Sequence, residues 1–228
     1  LMFGVRRSGL IHRVDVIEDF PANIAKMLLN DEVDVGLVPV AIIPRLQEAH
    51  IVTDYCIGAV GEVASVGRVS QVPLEQVETL ILDYQSRTSV NLARILLKEY
   101  WKKECKIERA TTDYQHRIKG TTAAVVIGDR ALLQRQHSTY IYDLAEAWQE
   151  LTGFPFVFAA WVANKELPPA FIDSFNVATG TGLQHINEIV SNLDFPSYNM
   201  LEYYNVNIDY VLDAQKRTAI QLFLSKLS

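Results

Sequence analysis

The feature of this sequence that most constrains its fold is an alternation of continuous apolar runs with segments of helical periodicity. The runs at 36–43, 123–127 and 154–163 are apolar throughout rather than at every second position, which is typical of strands covered on both faces. Between them, residues 88–103 have apolar side chains at helical spacing, which predicts an amphipathic helix. Strands that alternate with helices predict an α/β fold with a mainly parallel sheet.

Shorter patterns predict the remaining elements. These are a strand at 14–17, a helix that begins at Pro21, extended segments over 55–70, a strand at 79–83, and mostly helix after about 167. Two further helices, at 130–136 and 144–152, each follow an aspartate in the N-cap position, Asp129 and Asp143. Glu146 completes a capping-box pattern with Asp143.

Composition excludes several classes of protein. The net charge of −6 argues against a nucleic-acid-binding surface, and no apolar run is long enough for a membrane span. Cys56 and Cys105 lie far apart without metal-type spacing, so we expect buried, reduced thiols in a cytoplasmic protein. The five histidines form no pairs at ligand spacing, so a metal site is not expected. No feature of the sequence marks an oligomer interface.

The turn at 83–89 is more polar than a helix start requires. It follows an apolar strand and contains Ser86, Arg87, Thr88 and Ser89 before the helical period resumes. Capping would account for one hydroxyl. The unpaired N–H groups of a helix start also stabilise anions, and an arginine can bind a carboxylate with two hydrogen bonds. Both interpretations stay open, with a carboxylate or phosphate as the candidate ligand.

Two other strand ends could contribute to the same site, because ligands of open α/β sheets bind beyond the carboxyl ends of strands. One is 36–40, with Val38, and the other is 128–129. Asp129 could be an acid in the cleft or only a helix cap. Ser65, between two glycine-flanked segments, could be a catalytic hydroxyl.

Known catalytic motifs are absent from the sequence. Ser65 lies outside any G-x-S-x-G pattern and has no evident His/Asp partner, which disfavours a hydrolase nucleophile. The sequence contains neither a Walker loop nor a dinucleotide fingerprint. The residues alone therefore predict a two-lobed α/β protein that binds a small anion, without specifying a reaction.

Four segments, in this order and spacing, resemble the chorismate dehydratases of the futalosine route to menaquinone. They are DVGLVPVAIIP (34–44), LDYQSRTSV (82–90), VIGDRAL (126–132) and YDLAEAWQELTGFPFVFAAW (142–161). The likeness covers essentially the whole chain. It implies a fold like that of type II periplasmic binding proteins, in which two α/β lobes flank a cleft. Residues 1–64 and 159–228 would form lobe 1 and residues 65–158 lobe 2.

The resemblance also implies an activity. Such an enzyme removes water from chorismate in the cytoplasm and gives 3-[(1-carboxyvinyl)oxy]benzoate, without a metal or organic cofactor. The functional serine of the family falls on Ser65, which would hydrogen-bond the substrate and assist the leaving hydroxyl. Chorismate carries two carboxylates, which suits Arg87 and the helix start at 86–89. Val38 and Asp129 would complete the substrate-binding residues.

The sequence departs from the family in two respects. The family opens with a strand that ends in a Tyr-Leu-Asn-Thr-x-Pro-like motif, whose asparagine belongs to the site, whereas this sequence begins at Leu1. We therefore expect one sheet position and part of the site to be missing from these residues. Arg68 also stands where an apolar residue is expected.

Two alternatives to the dehydratase remain. A dihydroxynaphthoate synthase of the same pathway would share the fold and depend on a histidine, for which the sequence offers no well-placed candidate. A non-catalytic solute-binding protein for a small carboxylate would use the same cleft without turnover.

Overall fold

The computed structural model describes residues 1–227, which form two β-sheets surrounded by helices. The strands are β1 (Val35–Pro39), β2 (His50–Ala59), β3 (Val66–Ser70), β4 (Thr79–Leu82), β5 (Lys106–Arg109), β6 (Thr122–Ile127), β7 (Tyr140–Asp143), β8 (Phe156–Ala163) and β9 (Asp209–Val211). The α-helices are α1 (Met2–Arg7), α2 (Pro21–Leu29), α3 (Arg87–Ile95), α4 (Asp129–Gln134), α5 (Leu144–Thr152), α6 (Pro169–Leu183), α7 (Ile186–Ser191), α8 (Met200–Glu202) and α9 (Ala214–Ser225). None of the helices between residues 1 and 227 has the length and apolarity that a membrane span requires.

The prediction of a mainly parallel sheet is wrong. The four-stranded sheet has the order β1-β8-β2-β9, and each of its pairings is antiparallel. The five-stranded sheet has the order β5-β4-β6-β3-β7, in which β4 runs parallel to β5 and β6 while β3 runs antiparallel to β6 and β7. The antiparallel pairings arise where the chain crosses from one sheet to the other. On entering the other sheet, β3 lies between β6 and β7, and β8 lies between β1 and β2, each opposite in direction to its neighbours.

Local signals predicted most helices correctly. The helix from Pro21 is confirmed as α2, with proline in its first turn. The helix over 88–103 is confirmed as α3, which continues as a π-helical turn over Leu96–Tyr100 and ends there. The prediction of a strand at 14–17 is wrong, since residues 15–20 have no regular structure. An extended segment becomes a strand only when a neighbour pairs with it, and β1, at the sheet edge, pairs with β8 alone.

The two predicted aspartate caps have different outcomes. Asp143 is the N-cap of α5, and its Oδ1 accepts hydrogen bonds from the N–H groups of Ala145 (2.9 Å) and Glu146 (3.2 Å). Asp129 is not a cap, because it is the first residue of α4 and Gly128 precedes it as N-cap with φ +62°. This positive φ suits a glycine, because an L-residue adopts it only with strain.

One hydrophobic cluster extends through both sheets. It includes Ile42 and Cys56 beside the four-stranded sheet, and Leu80, Leu92 and Val125 beside the five-stranded sheet. The five-stranded sheet takes its strands from residues 66–143, and the other sheet from the rest of the chain. The lobe boundaries at 64–65 and 158–159 stay a prediction; β8 already pairs within the four-stranded sheet from Phe156 onward.

The two cysteines are free thiols. Cys56 is buried, as predicted, and burial raises its pKa to about 12. Cys105 is only partly buried, so the expectation of burial is wrong for that residue. Cys105 follows the end of the π-helical turn, where the chain runs along the surface toward β5.

Arg68 is a buried cation in the middle of β3. Its side chain is 1% exposed, and within residues 1–227 none of its three guanidinium nitrogens has a hydrogen-bond partner. The guanidinium carbon lies 4.0 Å from the ring centre of Tyr142 and 5.6 Å from that of Trp101. Cation–π attraction to these rings offsets only part of the desolvation cost of the charge. Burial accordingly lowers the pKa of Arg68.

We expect Arg68→Met to raise the free energy of unfolding by about 1–2 kcal/mol, because methionine fills a similar space without a charge to desolvate. Urea denaturation measures the change. Arg94, an exposed residue of α3, gives the matched control, and Arg94→Met should shift stability by less than about 0.5 kcal/mol. A loss of stability in Arg68→Met would show that the arginine has a favourable partner in solution.

Candidate functional site

Three turns meet at one edge of the five-stranded sheet. Strands β4 and β6 run parallel, so their carboxyl ends lie at the same edge. Strand β3 runs antiparallel to β6 with Val66 opposite Ile127, so β3 begins where β6 ends. The sheet therefore brings together the turn before β3, the polar turn after β4 and the turn after β6, which is where an α/β sheet binds ligands.

Ser65 lies in the first of these turns and is 4% exposed. Its carbonyl accepts a hydrogen bond from the N–H of Gly128 (2.8 Å), which joins the first turn to the turn after β6. Its Oγ accepts a hydrogen bond from the hydroxyl of Tyr203 (2.9 Å). The predicted catalytic hydroxyl is thus held between a strand end and a tyrosine far along the chain.

The backbone before Ser65 is held in an unusual conformation. Ala64 has φ +63°, in the left-handed region, which strains a non-glycine residue by about 1–2 kcal/mol. The Oδ2 of Asp143 accepts hydrogen bonds from the N–H groups of Val63 (3.1 Å) and Ala64 (2.8 Å). Arg135 donates from Nη1 to the Ala64 carbonyl (3.2 Å) and forms an ion pair with Glu62. These bonds hold the strained conformation from two sides.

Asp143 is the main support of this turn. Its two carboxylate oxygens accept four backbone hydrogen bonds, two from the turn before Ser65 and two from the start of α5. Burial raises the pKa of Asp143 to about 6, while the backbone donors act in the opposite direction. At neutral pH the group is therefore mainly a carboxylate and can accept all four bonds.

Some polar side chains of the turn after β4 are hydrogen-bonded within the protein, whereas others are free to bind a ligand. Ser86 caps α3: its Oγ accepts from the N–H of Ser89 (3.1 Å) and donates to Ser89 Oγ (2.8 Å). Thr88 is fully buried, and its Oγ1 accepts from the N–H of Ala41 (3.2 Å), in the turn after β1. Arg87 is exposed and, within residues 1–227, its guanidinium has no hydrogen bond or ion pair. Capping thus explains Ser86, whereas Arg87 remains available for a ligand.

Arg130 is a second guanidinium at this edge, and the sequence analysis missed it. Its Nη2 donates to Asp83 Oδ2 (2.9 Å) and to Gln85 Oε1 (2.7 Å). The buried Asp83 also accepts from the hydroxyl of Tyr114 (2.6 Å), whose pKa is raised by burial. Arg130 therefore fixes the turn after β4 to the start of α4. The parallel pairing of β4 and β6 would have indicated this contact.

The other two predicted substrate-binding residues lie in different surroundings. Asp129 is exposed at the start of α4, on the edge that holds Ser65. Val38 is fully buried in β1 and belongs to the hydrophobic cluster. Its strand leads to the turn that contacts Thr88. Binding of substrate by Ser86, Arg87, Thr88, Ser89, Asp129 and Val38 stays a prediction.

A cluster of tyrosines covers the edge near Ser65, and no sequence pattern predicted it. Tyr198, Tyr203 and Tyr204 pack together with Met200 against Ala64 and Leu132. Burial raises the pKa of Tyr203 to about 12, so its hydroxyl stays protonated at neutral pH. No local pattern distinguishes these tyrosines from ordinary core aromatics, because their partners are distant in the sequence.

Two cavities lie beside α1. One, of about 600 Å³, lies between the chain after α1 and α6 and is lined by Arg7, Arg13 and Asp173 among others. The other, of about 300 Å³, lies beside α7 and includes Tyr204 and Tyr210. Neither is lined by Ser65 or Arg87. Among residues 1–227, no group of three or more His, Cys, Asp or Glu side chains is placed to hold a metal ion.

The chain matches a known protein family. A family model described as menaquinone biosynthesis matches residues 5–228. A curated chorismate dehydratase from Thermus thermophilus is 26% identical over a match that covers 93% of this chain and 86% of that protein.

Solved structures support the architecture. A protein of Archaeoglobus fulgidus superposes with a TM-score of 0.69 at 12% identity, over 99% of this chain and 90% of that one. A Candida albicans protein described as having the generic periplasmic binding protein fold superposes with a TM-score of 0.61 at 11% identity, over 97% and 85% of the two chains. These similarities confirm the predicted α/β fold of the periplasmic-binding-protein type.

Proposed function

We propose that this chain, which belongs to the menaquinone biosynthesis family, is a chorismate dehydratase. The observation that carries the proposal is the position of Ser65. The residue that matches the functional serine of the family lies at the edge where three turns meet, and its hydroxyl is held by Tyr203. The similarity to the Thermus thermophilus dehydratase, over 93% of the chain, supports the same reaction.

The proposed reaction converts chorismate to 3-[(1-carboxyvinyl)oxy]benzoate in the futalosine route. One C–H bond and the neighbouring C–O bond of the ring break, water leaves, and the ring becomes aromatic. Because aromatisation supplies a large driving force, the site needs to orient the substrate, hydrogen-bond the leaving hydroxyl and exclude bulk water. The burial of Ser65 suits the last of these requirements. The reaction needs no metal or organic cofactor, and the free cysteines suit a cytoplasmic enzyme.

The carboxylates of chorismate have a matching site in the turn after β4. The start of α3 offers backbone N–H groups and the positive end of the helix dipole. Arg87, the first residue of α3, is exposed and unpaired within residues 1–227, so it can form two parallel hydrogen bonds with a carboxylate. Arg130 holds this turn in place through Asp83 and Gln85.

The direct test is to incubate the purified full-length protein with chorismate and follow the rise of aromatic absorbance, with the product identified by mass spectrometry. A dehydratase gives the enolpyruvyl benzoate with multiple turnovers. A solute-binding protein would bind chorismate, measurable by calorimetry, and return it unchanged. Recovery of intact chorismate from well-folded protein would therefore contradict the proposal.

We expect Arg87→Ala to raise the KM for chorismate at least tenfold while kcat changes less than about twofold, because a charge-assisted hydrogen bond to a carboxylate contributes about 1.5–3 kcal/mol. Steady-state kinetics measure both constants. Arg94→Ala is the matched control, since Arg94 is exposed on the same helix two turns from its start. Equal KM values for Arg87→Ala and Arg94→Ala would exclude Arg87 from carboxylate binding.

A further inference from the structure

Tyr203 connects the C-terminal part of the chain to the candidate catalytic hydroxyl. It begins the π-helical turn Tyr203–Asn207 and donates a hydrogen bond to Ser65 Oγ at 2.9 Å, across 138 positions of sequence. The same turn makes a second bond to the segment that contains Ser65, from Asn207 Nδ2 to the Glu62 carbonyl (3.2 Å). The turn is thus attached on both sides of Val63 and Ala64.

The hydroxyl of Ser65 has one hydrogen-bond donor and two acceptor sites. Tyr203 occupies one acceptor site. Within residues 1–227, no acceptor receives the Ser65 hydroxyl proton, although the residue is 4% exposed. A buried hydroxyl normally uses its proton in a hydrogen bond. The geometry therefore leaves one donor at this position available for a ligand.

We propose that Tyr203 is a positioning residue that orients Ser65, so that the serine proton points toward the hydroxyl that leaves the substrate. This inference rests on the proposed dehydratase function. Tyr203 acts through Ser65 and transfers no proton itself. Its hydrogen bond fixes one lone pair of Oγ, and the remaining proton of Ser65 is presented to the oxygen on which negative charge develops as the C–O bond breaks.

The surroundings of the phenol keep Tyr203 protonated and able to donate. Burial raises its pKa to about 12, and its hydroxyl lies 2.9 Å from Ser65 Oγ. The ring is held by Tyr204, with ring centres 5.0 Å apart, and by Tyr198, at 6.4 Å. Because these rings fix the phenol, removal of the hydroxyl alone should leave the packing of Tyr203 unchanged.

The test is the variant Tyr203→Phe, which keeps the ring and removes the donor. We expect kcat for chorismate dehydration to fall about tenfold, the effect of one hydrogen bond near the upper end of its usual range, with KM changed less than twofold. Tyr204→Phe is the matched control, because its neighbouring hydroxyl forms no hydrogen bond within residues 1–227. Circular dichroism and thermal unfolding check that both variants fold.

A double-mutant cycle separates positioning from a structural effect. In the Ser65→Ala background, adding Tyr203→Phe should lower kcat no further, because the hydroxyl that Tyr203 orients is already absent. Equal and additive losses in the two backgrounds would overturn the inference, as would full activity of Tyr203→Phe in an active enzyme. If the wild-type protein does not dehydrate chorismate, the proposed function fails, and this inference fails with it.

Discussion

Replacement of Ser65 by alanine should lower kcat for chorismate dehydration by about 100-fold or more, the effect expected when a group that hydrogen-bonds the reacting oxygen is lost. The stability of the protein should change little, because alanine fits the same space and the backbone bond from Gly128 to the Ser65 carbonyl remains. KM should change less than kcat, since the contact strengthens as the C–O bond breaks. Steady-state kinetics with purified variants measure both constants.

Ser70, the last residue of β3, gives a matched control at the opposite end of the strand that Ser65 precedes. It is also fully buried, and its Oγ donates to the Val72 carbonyl (2.7 Å). Ser70→Ala therefore removes a buried hydroxyl and a hydrogen bond without reaching the edge of the sheet that holds Ser65. We expect kcat of Ser70→Ala to match that of the wild type. Wild-type turnover in Ser65→Ala would remove this serine from the mechanism.

Replacement of Asp143 by alanine should lower the free energy of unfolding by about 3–5 kcal/mol, because it leaves buried N–H donors without acceptors. Two of these N–H groups belong to the first turn of α5, and the other two belong to the strained turn at Val63 and Ala64. The second pair also positions Ser65, so residual folded protein should have reduced kcat. Urea denaturation measures the stability change.

Substitution of Asp213 measures how much of the stability loss in Asp143→Ala comes from helix capping alone. It is the N-cap of α9, and its Oδ1 accepts from the N–H of Lys216 (2.8 Å). It also pairs with the buried Lys216 at 3.5 Å, but Lys216 keeps a nearer partner in Asp209 (3.1 Å), so Asp213→Ala should cost about 1–2 kcal/mol. The additional loss in Asp143→Ala then measures the bonds to the turn before Ser65. Similar losses in the two variants would show that Asp143 is only a helix cap.

The sequence predicted those parts of the fold that depend on local signals. Pro21 and Asp143 mark helix starts within a few residues, and the family resemblance, confirmed by the match over residues 5–228, identified the two-sheet architecture. The predicted parallel direction of the strands was wrong, because strand direction depends on which strands become neighbours after the chain crosses between sheets. The segment at 14–17 was wrong for a related reason: its apolar alternation has no partner strand within residues 1–227.

The sequence predicted the residues of the candidate site that follow strand ends, but not those whose partners are distant in the sequence. Ser65, the turn at 83–89 and Asp129 follow from strand ends, and the structure places all three at one edge of a sheet. Arg130 and Tyr203 were missed because their partners lie 47 and 138 positions away. No periodicity or spacing rule relates residues at such separations. The contact of Arg130 depends on the pairing of β4 with β6, and the contact of Tyr203 depends on the folded chain.

The hydrophobic cluster shared by the two sheets limits how the molecule can admit a ligand. Periplasmic binding proteins close around ligands through hinge motion of whole domains. Here such a hinge would bring side chains such as Ile42 and Leu92 into water, at about 2.5 kcal/mol for every 100 Å² of apolar surface uncovered. The tyrosine turn over Ser65 is attached through the hydrogen bonds from Tyr203 and Asn207 and through packing of its tyrosines against Ala64 and Leu132. Opening of the edge near Ser65 would therefore also uncover apolar surface, although from a smaller cluster than the one that the two sheets share.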